Sequence, residues 1–351
     1  MSNYLKKAKE LQCFSGFDVK DYSLSNNNIS DELGTLPAIT LEKVLELASI
    51  YPDYKYEKLT DALQKNFNIE NIIYGSGSED LIVRINLILK QIGPICILYP
   101  NFYRIMETAG PHIKIFAEYN KQSQFIDIET VKKHLDGSNK IRSLWITNPN
   151  PMIGKVFYKN DLIKMIKDHY NILFIIDESA IDFIKNSESF SLLDLSQQVE
   201  NLIVLRSFSK LFGLAGLRIG FATGKSRFLR DVNKIGPTFP LSTIAEYFAI
   251  NILAKKELVS QICEKIEKNK NIIRRLLEKN PNIYFSESIT NCLFFGSNQL
   301  DIFEEFLKLG IISLKLNETE GIKEKNFVRI TIHSSEKSFN NLFISLSKFI
   351  N

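Results

Sequence analysis

The chain has 351 residues, 44% hydrophobic and 24% charged, with a formal net charge of +4. So small and scattered a charge argues against a nucleic-acid partner, and lysine runs such as Lys265-Ile-Glu-Lys268-Asn-Lys270 alternate with acids like solvated helix faces. Cys13, Cys96, Cys263 and Cys292, like His112, His134, His169 and His333, lack metal-ligand spacing, and no run of 18 apolar residues occurs. These features predict reduced thiols, no metal, no membrane contact and, with no apolar core near Met1, a cytoplasmic setting.

In chain order, Gly75-Ser76-Gly77-Ser78-Glu79 comes first, ahead of the apolar helical pattern Leu81 to Leu89. Free N–H groups at a helix start beside glycines form an anion site, although the same residues suit a plain capped turn. Short apolar runs follow at Ile95–Tyr99, Ile113–Ala117, Ser143–Thr147, Ile172–Ile176 and Leu202–Leu205, with helical stretches such as Lys159 to Tyr170 between them. This alternation predicts an α/β fold, a mainly parallel sheet with helices on both faces. From Leu241 to Lys279 one long helical span is expected. Strands at Asn291–Gly296 and Phe327–Ile332 then flank a helix at Leu300 to Leu309, which reads as a smaller α+β unit.

The chemistry centres on Ser207-Phe208-Ser209-Lys210-Leu211-Phe212-Gly213-Leu214-Ala215-Gly216-Leu217-Arg218-Ile219-Gly220. Lys210 follows a buried-looking strand, and losing hydration lowers an amine's pKa and frees it to attack a carbonyl. Ser207, Ser209 and Arg218 suit a phosphate close by. Amine, aldehyde and phosphate together point to pyridoxal 5'-phosphate. Asp177 ends the run Ile172–Ile176, at the strand edge where open α/β sheets place their sites. There it suits either a helix cap or a partner for the cofactor's pyridine nitrogen.

The lysine segment resembles that of fold type I, class I/II aminotransferases, within the branch of histidinol-phosphate aminotransferase and threonine-phosphate decarboxylase. The resemblance runs from about Asn26 to Arg329. It implies a large cofactor-binding domain over 41–245 and a small domain made of 1–40 and 246–351. It also implies that Gly77, Ser78 and Glu79 hold the cofactor phosphate with Ser207, Ser209 and Arg218. Asp-Glu-Ser-Ala-Ile-Asp-Phe from Asp177 matches the family's Asp-Glu-Ala-Tyr/Phe motif and places Asp177 on the pyridine nitrogen. Asn148-Pro149-Asn150-Pro151-Met152-Ile153-Gly154 is similar to Pro-Asn-Asn-Pro-Thr-Gly, which gives Asn150 the cofactor's phenolic oxygen. In Pro100-Asn101-Phe102-Tyr103 the aromatic stacking on the ring is Phe102 or Tyr103. Tyr51, in Tyr-Pro-Asp, would cross to the phosphate of a second subunit, which implies a homodimer.

Arg329 matches the arginine that grips the substrate's anion, and Asn27 matches an asparagine on the substrate side. Two departures bear on specificity. Ala180 stands where relatives carry a tyrosine, and Leu314, with Lys315 beside it, replaces a second arginine. The expected activity is transamination of a small phosphorylated amine or amino acid. Decarboxylation of a phosphorylated amino acid is the first alternative, and a protein that binds the cofactor without catalysis is the second.

Overall fold

The computed structural model describes residues 20–29, 39–138, 140–316, 319–322 and 326–350, to which all that follows refers; Cys13 lies outside them. The chain opens with β1 (Lys20–Asp21), α1 (Leu41–Ala48) and α2 (Glu57–Phe67). Then come β2 (Ile73–Ser76), α3 (Gly77–Ile92), β3 (Ile95–Tyr99), α4 (Tyr103–Ala109) and β4 (Ile113–Phe116). A short pair, β5 (Glu118–Tyr119) and β6 (Ile126–Asp127), precedes α5 (Glu129–Asp136), β7 (Ser143–Thr147) and α6 (Lys159–Asp168). The centre continues through β8 (Leu173–Asp177), α7 (Leu193–Ser196), β9 (Leu202–Ser207), β10 (Ile219–Thr223) and α8 (Phe228–Lys234). The remainder is α9 (Thr243–Leu253), α10 (Lys256–Leu277), β11 (Ile283–Ser286), β12 (Cys292–Ser297), α11 (Ile302–Lys308), β13 (Ile311–Ile312), β14 (Leu314–Lys315), β15 (Phe327–Thr331) and α12 (Glu336–Ile350).

Seven strands form the large sheet in the order β2-β10-β9-β8-β7-β3-β4. Only β10 runs against its neighbours, pairing antiparallel with both β2 and β9. The alternating side chains explain why the central strands β3, β7, β8 and β9 read as apolar runs: each face is buried under its own helices. Leu144, Ile146, Phe174, Ile176 and Val204 pack with α2, α5, α6 and α9. Trp145, Ile175, Ile203 and Leu205 pack on the other face with α3, α4 and α8.

A second sheet, β11-β12-β15-β14, carries its own core with α11 and α12. Segment β1 pairs in parallel with β13, so residues near Tyr22 pack with this smaller unit. The long helical span expected from 241 is two helices: Lys255 leaves helical geometry between α9 and α10. The α10 stripe then serves both cores, with Leu258, Ile262 and Ile266 in the larger and Ile273, Leu276 and Leu277 in the smaller. Strands β2 and β10, unread in the sequence, complete the large sheet. No helix among the described residues is long and apolar enough to cross a membrane.

Behind the sheet's carboxyl edge lies a buried ionic knot. Glu178 accepts from Arg206 Nε at 3.0 Å, from the Ser191 hydroxyl at 2.8 Å and from the Leu192 N–H at 2.6 Å. Arg206 Nη1 also reaches Asp182 at 2.8 Å. Burial pushes the Glu178 carboxyl up, and Arg206 opposes that shift. Removing one member of such a pair strands a charge away from water. Arg206→Met is therefore expected to cost about 3–5 kcal/mol, read from urea unfolding through the buried single tryptophan, Trp145. Wild-type stability in that variant would contradict the assignment.

Candidate active site at the carboxyl edge of the large sheet

The turn from β2 into α3 carries the glycine motif. Gly77 has φ +77°, and its N–H donates to the Arg218 carbonyl at 3.0 Å. A Cβ at Gly77 would lie 2.4 Å from Arg218 Nη2, so glycine is needed both for the backbone and for the guanidinium beside it. Arg218 Nη1 donates to Ser209 Oγ at 3.3 Å, and the Ser209 N–H donates to Ser207 Oγ at 3.2 Å. The Ser179 hydroxyl donates to Ser78 Oγ at 3.5 Å. Gly77, Ser78, Ser207, Ser209 and Arg218 thus converge as a helix start, three hydroxyls and a guanidinium, a set that binds an anion. Glu79 differs from its neighbours. Its side chain takes Arg104 Nε at 2.8 Å on α4, so only its backbone is available to that site.

Asp177 is the last residue of β8 and is buried. Burial raises its carboxyl pKa, while Ser179, whose N–H donates to Oδ1 at 2.9 Å, and the charge of Lys210 pull it down. Lys210 sits just past β9. Loss of water, with the charge of Arg329 second, lowers its amine to about 8 against the opposing pull of Asp177 and Cys292. The amine is therefore a far better nucleophile near neutrality than an exposed lysine.

Asn150 is buried, donating from Nδ2 to the Pro100 carbonyl at 2.7 Å and accepting the Met152 N–H at 2.9 Å. Of the two candidate aromatics, Phe102 is partly buried with its N–H on Asn101 Oδ1 at 2.7 Å, whereas Tyr103 opens α4 and is 53% exposed. That Asn101 oxygen also accepts from the Thr147 hydroxyl at the end of β7. Phe102 is thereby the aromatic tied to the sheet edge.

Arg329 comes from the other sheet. On β15 it is buried, with Nη1 donating to the Pro151 carbonyl at 2.7 Å and Nη2 to the Ser23 carbonyl. Its Nε has no partner, and it forms no ion pair among the described residues. Burial lowers its pKa. Leu314 pairs with it in register, and Lys315 turns instead to Asp301 at 3.1 Å. Asn27, expected beside the substrate, has its side chain spent within the protein. Nδ2 donates to the Leu211 carbonyl and to Ser334 Oγ at 3.0 Å, and Oδ1 accepts the Ser334 N–H. Tyr51 lies apart from these residues in the single chain, 84% exposed and 5.2 Å from the Phe239 ring.

Sequence reasoning did not single out Lys155, Ser179 or the Glu178–Arg206 pair. A lysine between Gly154 and the apolar Val156-Phe157 was the one signal available for the first. Taken together, a desolvated amine, a carboxylate within its field and an anion cradle fit pyridoxal phosphate, and the orphaned guanidinium N–H fits an anionic substrate.

The aminotransferase class I and II family matches residues 21–343. Histidinol-phosphate aminotransferase of Pelagibacter ubique is 29% identical, covering 96% of this chain and 98% of that protein. That of Clostridium novyi is 28% identical, over 94% and 93%. Among solved structures, histidinol-phosphate aminotransferase from Sinorhizobium meliloti in complex with pyridoxal-5'-phosphate has a TM-score of 0.80 at 17% identity, covering 100% of this chain and 97% of that one. L-threonine-O-3-phosphate decarboxylase from Porphyromonas gingivalis has 0.75 at 18%, covering 95% and 99%. Both have the fold type I architecture described here.

An amine lowered to about 8 loses its proton through that pH. The rate at which apoprotein becomes borohydride-reducibly loaded with pyridoxal phosphate should rise through pH 8 and level off above it. Arg329→Leu removes a neighbouring cation and should move the midpoint up; Asp177→Asn should move it down. A wild-type midpoint near 10.5, or loading that survives Lys210→Ala, would refute the assignment.

Proposed function

Because the chain belongs to the aminotransferase class I and II family and is a pyridoxal-phosphate-dependent transaminase, we propose that it acts on a small phosphorylated amine or amino acid of the histidinol-phosphate kind. The observation that carries this reading is Arg329, a buried cation from the small sheet with a free N–H, lying within the field of Lys210. A buried guanidinium without a carboxylate partner is costly unless an arriving anion supplies the missing charge.

Bound pyridoxal phosphate supplies an aldehyde for the substrate's amine and a ring that takes up electrons released at the substrate's α carbon. In this reading Lys210 would hold the cofactor's aldehyde at Nζ, and its amine would carry the proton at the α carbon. Asp177 keeps a proton on the pyridine nitrogen, and Asn150 donates to the phenolic oxygen. Phe102 covers the ring. Gly77, Ser78, the backbone of Glu79, Ser207, Ser209 and Arg218 bind the phosphate, and Arg329 orients the substrate through its anionic end. Asn27 contributes to the substrate side by fixing the Lys210 loop rather than by direct contact, since its side-chain groups are already engaged.

The reading extends to a homodimer. Tyr51 and its neighbours Leu41, Leu45 and Ile50 form an exposed apolar surface with Phe239, which a second copy would cover. It also places the enzyme in the cytoplasm, in keeping with the free thiols of Cys96, Cys263 and Cys292.

Glutamate formed from 2-oxoglutarate in the presence of phosphorylated amines tests the transfer, and carbon dioxide release instead would assign a decarboxylase. Arg329→Ala should lower kcat/KM for anionic amines by about tenfold to a hundredfold, the loss of one charge-assisted contact of about 1.5–3 kcal/mol. An equal loss on neutral amines would make Arg329 structural. Sedimentation velocity should give twice the 40.3 kDa chain mass; an active monomer would overturn the dimer.

A further inference from the structure

Lys155 is completely buried. Its ammonium donates to three backbone carbonyls: Ser123 at 2.5 Å, Glu287 at 2.6 Å and Lys121 at 3.2 Å. Lys121 and Ser123 lie in the β5–β6 connection, and Glu287 follows β11 of the small sheet. Three carbonyl dipoles converging on one point create a negative potential that a cation neutralises, as carbonyl rings do for potassium. Here the cation is tethered to the chain.

The tether belongs to the turn that serves the site. The Asn150 N–H donates to the Lys155 carbonyl at 2.7 Å and the Gly154 N–H to the Asn150 carbonyl at 2.8 Å, which closes residues 150–155 into one unit. That unit presents the Asn150 side chain to the sheet edge and the Pro151 carbonyl to Arg329. Gly154, at φ +71°, is pressed so closely to the small sheet that a Cβ would lie 2.5 Å from Ser288 Oγ and 2.6 Å from the Phe294 ring. The Ile289 N–H donates to its carbonyl at 2.9 Å. Lys270 reinforces the same strip, donating to the Ser288 and Thr290 carbonyls. The strip leads into β12, whose Phe294 pairs with Arg329.

We propose that Lys155 is a positioning residue whose ammonium acts as a built-in monovalent cation, locking the Asn150–Lys155 turn between the two sheets and so setting Asn150 and Arg329 against Lys210. This rests on the reading of Asn150 as a cofactor ligand. Without the ammonium, the Lys121 carbonyl keeps the Glu287 N–H at 2.8 Å, but the Ser123 and Glu287 carbonyls lose the charge they share, and the nest should recruit a free cation of similar size.

The test is Lys155→Ala, with Lys155→Met as a second variant that keeps the stem's volume. The dissociation constant for pyridoxal phosphate and the thermal midpoint are measured in ammonium, potassium and tetramethylammonium chloride at equal ionic strength. In tetramethylammonium chloride Lys155→Ala should bind the cofactor about tenfold more weakly than wild type, a loss in keeping with a ligand displaced by a fraction of an ångström. Ammonium or potassium should restore affinity to Lys155→Ala, whereas wild type should respond equally to all three salts. Lys155→Met, whose stem blocks the nest, should stay weak in every salt. Cofactor affinity unchanged in both folded variants would overturn the proposal, as would a lowered affinity that no cation restores. Failure of both variants to fold in any salt would make Lys155 a folding residue and likewise overturn it. Asn150→Ala in parallel separates the two readings: if it binds the cofactor normally, the role of Asn150 fails. If it binds weakly while Lys155→Ala does not, only the present inference fails.

Discussion

The desolvation of Lys210 beside Arg329 is the constraint around which the rest of the molecule is arranged. Two cations from two different sheets lie within each other's field, and Asp177 is the carboxylate that offsets them at Lys210. Mutual repulsion and lost hydration together lower the lysine. An isolated large sheet would supply the lysine and the aspartate but not the second cation. The proposed chemistry would therefore require the two sheets to be docked, and polar bonds between them hold that arrangement. The Arg329 bond to Pro151, the Asn27 amide that bridges Leu211 and Ser334, and the Lys155 nest all tie the β15 side to the loops of the large sheet.

Holding a buried carboxylate at a strand end needs rigid backing. The Glu178–Arg206–Asp182 knot lies directly behind Asp177 in sequence and uses residues that point away from the site. A buried ion pair contributes little net stability, because desolvation consumes most of the Coulombic gain. Its effect here is geometric. With Ser191 and Leu192 also bonded to Glu178, the segment that follows β8 has one arrangement, and Asp177 is fixed with it.

The Arg329 end of the site is sparse in charge. Leu314 occupies the register position beside Arg329, and Lys315 is committed to Asp301. In the proposed reading a substrate's anionic group would meet one guanidinium, of which two nitrogens are already bonded to carbonyls. Position and a single charge, rather than a pair of arginines, would set selectivity, and a lone buried charge is strong only when its geometry is well fixed.

The sequence by itself determined the elements and the list of chemical groups. Apolar runs located β3, β7, β8 and β9 to within a residue or two, since strands buried on both faces read as continuous apolar stretches, and the edge strand β4 was read from such a run although Ile115 is its only buried residue. The lysine segment, the glycine turn and Asp177 were legible because strand ends and helix starts are local features. What the sequence did not reveal was non-local. Strand β10 runs antiparallel into the sheet, and a single helical pattern from 241 divides at Lys255 between two cores. Asn27 looked like a substrate contact, and only the fold showed its amide consumed by Leu211 and Ser334. Lys155 drew no notice in the sequence, because its partners lie 32, 34 and 132 residues away. Hydrogen-bond capacity is written in the residue type, but whether it is spent on the protein or left for a ligand depends on which distant backbone the fold brings within 3 Å.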